Sequence, residues 1–273
     1  MVNRGRLARG AGFWLLLTAS LAFLLFPLVW MALGSFKTQV DFMAYPPKWR
    51  FSPTLANYEK VLGGSDFLRF ALNSLIIAVG STLLSLLVGT PAAYGIARHR
   101  QTRLGLLLLS ARMAPGIAFL IPWFILFSKL RMIDTYPAVM LTHMVVVLPL
   151  VIWVLVGFFE EVPAELEEAG LIDGCTRLGV LVRIALPLAR PGLVATAILG
   201  IISSWNNFIF SLVIAGNHTR TLPVAIFNFV SYDSLNWGGL TAASTIITLP
   251  VLVMAFFVQK HIVRGLTLGA LKG

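Results

Sequence analysis

The chain has 273 residues, of which 58% are hydrophobic and only 12% are charged, and its formal net charge is +10. A soluble domain usually carries about 25% charged residues, and a single core of this size cannot hide so much apolar surface, so an ordinary soluble fold is excluded. The positive charge does not indicate nucleic-acid binding, because the arginines flank apolar segments as they do in membrane proteins.

Six apolar stretches are long enough to cross a bilayer, whose core needs roughly 20 residues of helix. In chain order they cover residues 13–36, 71–96, 104–127, 137–158, 192–214 and 240–259. The first is too long for the apolar core of a signal peptide, so it predicts a retained helix. The sequence therefore predicts an all-α, polytopic membrane protein that forms one transmembrane domain over residues 1–273.

Basic residues predict which ends of these helices face the cytosol. Lysine and arginine are clearest in the two tails and in the turn 98–103, the short segments in which the positive-inside rule counts most. Both termini and the segment 159–190 are therefore predicted to be cytosolic. The two long outside segments, 37–69 and 215–239, are either simple connectors with interfacial aromatic residues or a docking surface for an external partner.

The segment 159–190 holds six of the eleven acidic residues of the chain. Pro163 suits a first helical position, and the glutamates that follow it suit the positive end of the helix dipole. Gly174 is predicted to end this short helix, in which Ala169 and Gly170 form a small-residue face that a partner could approach closely.

A second helix is predicted after Gly174, with Thr176 as its N-cap. Its apolar stripe follows helical spacing and consists of Leu178, Leu181, Val182, Ala185 and Leu186. Such a stripe indicates an amphipathic helix that lies at the membrane surface or against other helices.

The same segment resembles the EAA loop of permease subunits of type I ATP-binding-cassette importers. That pattern is Glu-Ala-Ala, three residues, Gly, nine residues and Ile-x-Leu-Pro, and both gaps are met here. The departure is Gly170 in place of the second alanine, which keeps the surface small but weakens the helix by up to ~1 kcal/mol. The ATPase-coupling residues that the resemblance implies are Glu168, Ala169, Gly170, Asp173, Gly174, Ile184, Leu186 and Pro187.

Other stretches are similar to the carbohydrate-uptake branch of that family, which includes the maltose permease subunits. They are Ile133–Tyr136, Ser204–Phe208, Thr221–Val224 and the tail that begins at Val263. The tail is typical of the smaller of the two maltose permeases.

The resemblance implies a permease subunit, not an enzyme, in the cytoplasmic membrane of a bacterium. Its partners would be a second homologous permease, two ATPase subunits, an extracytoplasmic solute-binding protein and membrane lipid, with no nucleic acid. The 163–174 helix would dock on an ATPase and couple ATP hydrolysis to import of a sugar or sugar-like solute. ATP and Mg²⁺ would be bound by the ATPase and no cofactor by this chain, which has no GxxxxGK[ST] sequence.

Candidate solute-pathway residues combine aromatic faces with polar groups at membrane depth, where an unpaired amide is costly unless it faces a polar cavity. They are Trp205, Asn206, Asn207, Asn73 and Thr245. Interhelical hydrogen bonding is the alternative for each of them, and the solute site can also lie mainly on the partner permease. His143 is either a residue that lines the pathway or, in the favoured interpretation, a satisfied interfacial group near a helix start.

Two other functions have less support. A secondary transporter driven by an ion gradient often carries acidic residues in mid-membrane, but no Asp or Glu falls within the six apolar stretches. A membrane enzyme would need a cluster of His, Asp or Glu or a nucleophile motif such as GxSxG, and the sequence has neither. One cysteine, Cys175, also predicts no disulfide and no cysteine-based metal site.

Overall fold

The computed structural model describes residues 4–64, 66–110, 116–229 and 235–270, and the regular elements of these ranges are all helices. This confirms the predicted all-α class. In chain order the elements are α1 Arg4–Ser35, α2 Gln39–Phe42, α3 Ala56–Gly63, α4 Phe67–Arg98, α5 Thr102–Ser110, α6 Gly116–Lys129, α7 Tyr136–Glu160, α8 Ala164–Ile172, α9 Arg177–Val180, a π-helical turn Leu181–Ala185, α10 Leu186–Leu188, α11 Arg190–Trp205, α12 Ile209–Ile214, α13 Leu222–Ala225, a 3₁₀ turn Ile226–Phe229 and α14 Trp237–Ala270.

Four of the described helices are long and apolar enough to cross a membrane by themselves. They are Gly12–Ser35 within α1, α4, α7 and Trp237–Gln259 within α14. These helices coincide with the first, second, fourth and sixth predicted stretches. The third stretch is represented by α5 and α6, and residues 111–115 between them lie outside the described residues.

The fifth predicted stretch is broken in the structure. α11 ends at Trp205 and α12 begins at Ile209, so three residues that include Asn206 and Asn207 separate two helices where one was predicted. At its other end, α11 follows the helical segment Arg177–Leu188, which comprises α9, the π-helical turn and α10. The two segments meet at an angle of 81°. Pro191 explains that bend, because a proline suits the first turn of a new helix and cannot continue an old one.

The chain forms two compact units, Met1–Ser65 with Ile226–Thr248 and Asp66–Ala225 with Leu249–Gly273. We call them unit 1 and unit 2. Unit 2 contains the predicted coupling segment and four of the five predicted solute residues, whereas Thr245 lies in unit 1. That the whole chain acts as one transmembrane domain stays a prediction.

The core of unit 2 lies where α4, α7 and the π-helical turn meet. Its buried side chains are almost all aliphatic, and Phe159 at the end of α7 is fully buried among them. Gly89 allows α4 to pack closely against α7, because a Cβ at Gly89 would lie only 2.7 Å from Cγ1 of Val151. Small residues allow membrane helices to gain dispersion contacts in this way, since lipid offers no hydrophobic drive for association.

Unit 1 is held by polar contacts around the end of α1. Asn57 of α3 donates to the backbone carbonyls of Ser35 and Lys37 at 2.8 Å each. The buried amino group of Lys37 donates to the carbonyl of Lys48 at 2.7 Å and lies 4.6 Å from the ring centre of Trp30. These bonds satisfy backbone groups at a helix end, which would otherwise be left without partners.

Candidate functional site

The first helix of the predicted coupling segment, α8, ends where the sequence predicts. Gly174 adopts a φ of +87°, in the left-handed region that glycine enters at little cost. Its N–H donates to the carbonyl of Leu171 at 3.1 Å, and the N–H of Cys175 donates to that of Gly170 at 2.9 Å. These two bonds form a Schellman motif, so the predicted role of Gly174 as the helix stop is confirmed.

The second predicted helix begins as expected and packs part of its apolar stripe, Leu181, Ala185 and Leu186, against the core of unit 2. The hydroxyl of Thr176 accepts the N–H of Gly179 at 3.1 Å, as expected of an N-cap. Leu181 and Ala185 are buried, but Leu178 is 67% exposed and Val182 is also exposed. The segment also contains a π-helical turn, Leu181–Ala185, which the regular spacing did not predict. That the exposed Leu178 and Val182 lie at the membrane surface stays a prediction.

The two ends of the EAA-like pattern contact each other. Gly170 is buried, and a Cβ added to it would meet Cδ1 of Ile184. The glycine that departs from the family pattern therefore faces the π-helical turn of the same chain, and the prediction that it forms an open face for a partner is wrong. The absence of a side chain is what allows this close approach.

The remaining predicted coupling residues lie mainly on the outer surface of the segment. Glu168, Ala169, Asp173, Gly174 and Pro187 are exposed, and Ile184 and Leu186 are half-buried. Large apolar side chains share this surface, and the exposed fractions are 86% for Ile172 and 44% for Leu171. An exposed surface that combines acidic and large apolar side chains is suited to bind another protein.

Glu167, predicted from the sequence only as a helix-start charge, forms the main polar contact of α8. Its carboxylate is buried and accepts from Nε of Arg98 at 2.8 Å to each oxygen, and also from Nη2 of the same arginine. The hydroxyl of Tyr94 donates to Oε2 of Glu167 at 2.7 Å, and Arg98 Nη2 donates to the carbonyl of Val162 at 3.1 Å. Arg98 and Tyr94 both belong to α4.

This ion pair lies beside a cleft of about 560 Å³. Residues near the end of α4 line one side, and Leu171, Arg177 and Leu178 are among those that line the other. A signal in the sequence could have indicated the contact, because Tyr94 and Arg98 are spaced i and i+4 on one face of the predicted span. The identity of their partner required the tertiary structure, since 69 residues separate Arg98 from Glu167.

The predicted solute residues around the α11 break differ in exposure. Trp205 is buried, Asn207 is half-buried and Asn206 is exposed. Oδ1 of Asn207 accepts the N–H of Phe210 at 3.2 Å and so satisfies a donor at the start of α12. The break therefore places one exposed amide, that of Asn206, directly after a membrane-depth helix.

Asn73 and Thr245 are held by bonds within the protein. The side-chain amide nitrogen of Asn73 donates to the backbone carbonyls of His218 at 2.8 Å and Arg220 at 2.9 Å. Its side-chain oxygen accepts from the hydroxyl of Tyr136 at 2.7 Å. The hydroxyl of Thr245 donates to the carbonyl of Thr241 at 2.7 Å. For Asn73 this geometry favours the structural alternative, because both of its donors and its oxygen are engaged.

His143 is confirmed as a satisfied group, and its bonds cross between helices. Its ring nitrogens lie 2.7 Å from the hydroxyl of Ser204 and 3.1 Å from that of Ser211. Ser81 of α4 donates to Ser204 at 2.9 Å. The network joins α4, α7, α11 and α12 at the level of the α11 break.

A second anchor lies at Asp134, within one of the stretches that resemble the carbohydrate branch. Its carboxylate accepts the N–H groups of Gly216 at 2.9 Å, His218 at 3.0 Å and Thr219 at 2.9 Å, and the Thr219 hydroxyl at 2.8 Å. Burial by itself would raise the pKa of Asp134, but these hydrogen bonds to its charged form outweigh that effect and lower the pKa. The loop 216–219 is thereby fixed to the start of α7.

Metal binding has no support among the described residues, where no group of three or more His, Cys, Asp or Glu side chains is placed to hold an ion.

Residues 85–268 match the protein family described as binding-protein-dependent transport system inner membrane component. The chain is 37% identical over 256 residues to the trehalose/maltose transport system permease protein MalG of Thermococcus litoralis, covering 91% of this chain and 92% of that protein. It is 34% identical to the sulfoquinovosyl glycerol transport system permease protein SmoH of Agrobacterium fabrum, covering 91% of this chain and 89% of that protein.

Among solved structures, the chain is similar to one in the crystal structure of a bacterial ABC transporter involved in the import of the acidic polysaccharide alginate. The TM-score is 0.76 with 20% identity, over 95% of this chain and 98% of that chain. At this identity the similarity establishes a shared fold.

Proposed function

The chain belongs to the family of binding-protein-dependent transport system inner membrane components and is a transporter permease subunit, and we propose that its importer is driven by ATP and carries a sugar or sugar-like solute into the cytoplasm. The family match over residues 85–268 is the observation that carries this proposal, because it includes the whole EAA-like segment. Relatives whose names include trehalose, maltose and diacetylchitobiose support a sugar as the solute.

The coupling step is assigned to α8 and the turn that follows it. In the assembled importer, the exposed surface around Glu168 and Ile172 lies in a cleft of a separate ATPase subunit in the cytosol. The large apolar side chains would supply contact area that excludes water, and the acidic ones would fix the orientation. ATP and Mg²⁺ bind to the ATPase subunits, and this chain contributes the docking helix.

The remaining subunits follow from the same assignment. A second, homologous permease pairs with this chain, two ATPase subunits bind from the cytosol, and a solute-binding protein delivers the solute from outside. A neighbouring structure supports the last partner, since it contains the alginate transporter in complex with an alginate pentasaccharide-bound periplasmic protein. Both termini of the chain face the cytosol, in keeping with the positive-inside rule.

The solute path on this subunit is assigned to the break between α11 and α12. A broken membrane helix exposes backbone and amide groups only where they face protein or a water-filled cavity. Asn206 is exposed at this break, and Trp205 precedes it, so an amide and an aromatic ring are adjacent. Sugars are recognised by these two chemistries, through hydroxyl hydrogen bonds and ring stacking.

The test is purification of the tagged chain in mild detergent, followed by reconstitution in liposomes. We expect it to retain a second permease and an ATPase, and to take up maltose, trehalose, diacetylchitobiose or sulfoquinovosyl glycerol only with ATP and a binding protein. The variant Ile172→Glu places a charge on a side chain that is 86% exposed, and should lose the ATPase from the complex. Ile172→Val is the matched control and should retain it.

Two results would contradict the proposal. The first is purification of the chain alone together with solute uptake driven by an ion gradient without ATP, which would indicate a secondary transporter. The second is retention of the ATPase by Ile172→Glu at the wild-type level, which would place the docking surface elsewhere.

A further inference from the structure

We infer that the ion pair of Arg98 with Glu167, together with Tyr94, is the joint through which the coupling helix α8 moves the membrane-spanning helix α4. This inference rests on the proposed function, since it assumes that an ATPase displaces α8. The three residues are assigned as positioning residues, because their described contacts hold two helices of this chain together.

The contacts form a rigid, directional connection. Among the described residues, every side-chain hydrogen bond between α4 and α8 ends at the carboxylate of Glu167. Arg98 holds this carboxylate through two of its nitrogens, and a forked pair of this kind fixes orientation as well as distance. Its additional bond to the carbonyl of Val162 fixes the chain just before α8 begins.

Burial makes the joint hard to open. The side chain of Glu167 is 7% exposed and that of Arg98 is 20% exposed. Separating them would leave a charge without a partner in a medium that solvates it poorly, which is far more costly than breaking a surface pair. Tyr94 reinforces the joint from α4, since its ring lies 5.6 Å from that of the buried Phe159.

A second described contact of α8, that of Gly170 with Ile184, is of a different kind. It joins α8 to the π-helical turn through an apolar surface, which has no preferred direction and lets surfaces slide. The coupling helix is thus attached to α4 by oriented polar bonds and to the following turn by apolar packing.

Motion of α4 would reach the predicted solute path. Ser81 of α4 donates to Ser204, and Ser204 lies at the end of α11, immediately before the break. Ser204 also contacts His143 of α7 at 2.7 Å. Displacement of α4 by the joint therefore acts on the helices that flank Asn206.

The inference predicts that α4 and α8 move as one body during the ATP cycle. We would place spin labels on cysteines at Glu165 of α8 and Leu83 of α4, both exposed, in a Cys175→Ser background. The distance between the labels would be measured by electron paramagnetic resonance in the co-purified complex, first without nucleotide and then with ATP, Mg²⁺ and vanadate. ATP hydrolysis by the same sample would be measured in parallel.

With Arg98 and Glu167 intact, the distance distribution should be the same in both states. Glu167→Gln should shift or broaden the distribution with nucleotide, while the complex still assembles and hydrolyses ATP. Stimulation of that hydrolysis by binding protein should fall at least about fivefold, the lower end of ordinary coupling between sites. Arg98→Lys keeps the charge but loses the fork and should act in the same direction, whereas the exposed Glu161→Gln should leave all readouts unchanged.

The outcomes separate this inference from the proposed function. If the unaltered chain retains no ATPase, the proposed function fails and the inference fails with it. If it retains an active ATPase but its own label distance changes with nucleotide, the joint is not rigid and only the inference is overturned. The inference is also overturned if Glu167→Gln and Arg98→Lys assemble and behave as the unaltered chain does. It is likewise overturned if these two variants fail to assemble while Tyr94→Phe assembles and couples normally.

Discussion

Substitution of Gly174 by alanine tests whether α8 ends in the left-handed conformation. Gly174 has a φ of +87°, and a Cβ at this position would meet no atom within 4 Å. The substitution therefore changes the backbone preference and nothing else in the surroundings. Gly157 in α7 is a matched control, because a Cβ there also meets nothing within 4 Å and its backbone is helical.

The expected magnitude follows from comparison of the two sites. An L-residue in the left-handed region costs roughly 1–2 kcal/mol, whereas alanine in a helix interior gains roughly 0.5–1 kcal/mol over glycine. That gain is largely the lower entropy of the unfolded chain with alanine, which applies at both sites and therefore cancels in the difference. Gly174→Ala should thus be destabilised by roughly 1–2 kcal/mol or more relative to Gly157→Ala.

Thermal unfolding of the purified chain in detergent would measure this difference, with the fluorescence of its seven tryptophans as the signal. At about 2–4 °C per kcal/mol, Gly174→Ala should melt at least a few degrees below Gly157→Ala. Gly174→Asn should fall between glycine and alanine, because asparagine enters the left-handed region more readily. Equal melting temperatures for the two alanine variants would refute the assignment of a left-handed stop at Gly174.

Three further predictions concern single contacts. Gly170→Ala should lower the melting temperature less when it is combined with Ile184→Val, because the valine lacks the Cδ1 that the new Cβ would meet. The changes in melting temperature of the two single variants should therefore not add up to that of the double variant. Thr176→Ala should cost about 1 kcal/mol through loss of the N-cap, and Thr176→Ser should restore most of it, as measured by the same melts. The pKa of Asp134 is lowered in the folded protein, so its ionised carboxylate stabilises the fold at pH values above the ordinary pKa of 3.8. This contribution is lost as the pH falls through the lowered pKa. Asp134→Asn should therefore melt below the unaltered chain at pH 7, and the difference between the two melting temperatures should close in strong acid.

The amino-acid sequence by itself determined the class of the protein and the local signals at the end of α8 and the start of α9. Composition required a membrane protein, because apolar side chains in such number cannot be buried in one soluble core. Gly174 and Thr176 were predictable for a local reason, since a left-handed helix stop and an N-cap depend on neighbours within a few residues. The four long spans were found because a continuous apolar run has one interpretation in a bilayer.

Only the tertiary structure decided which side chains meet across the chain. Glu165, Glu167 and Glu168 look alike in sequence, and the one that is buried is chosen by the position of Arg98 in another helix. The π-helical turn Leu181–Ala185 was not predicted from the regular apolar spacing of its segment. The break after Trp205 was not predicted from the apolar run that contains it, although Asn207 caps the helix that follows by accepting the N–H of Phe210. Asn73 is fixed by partners more than sixty residues away. Contacts between distant segments depend on the arrangement of whole helices, which no local pattern contains.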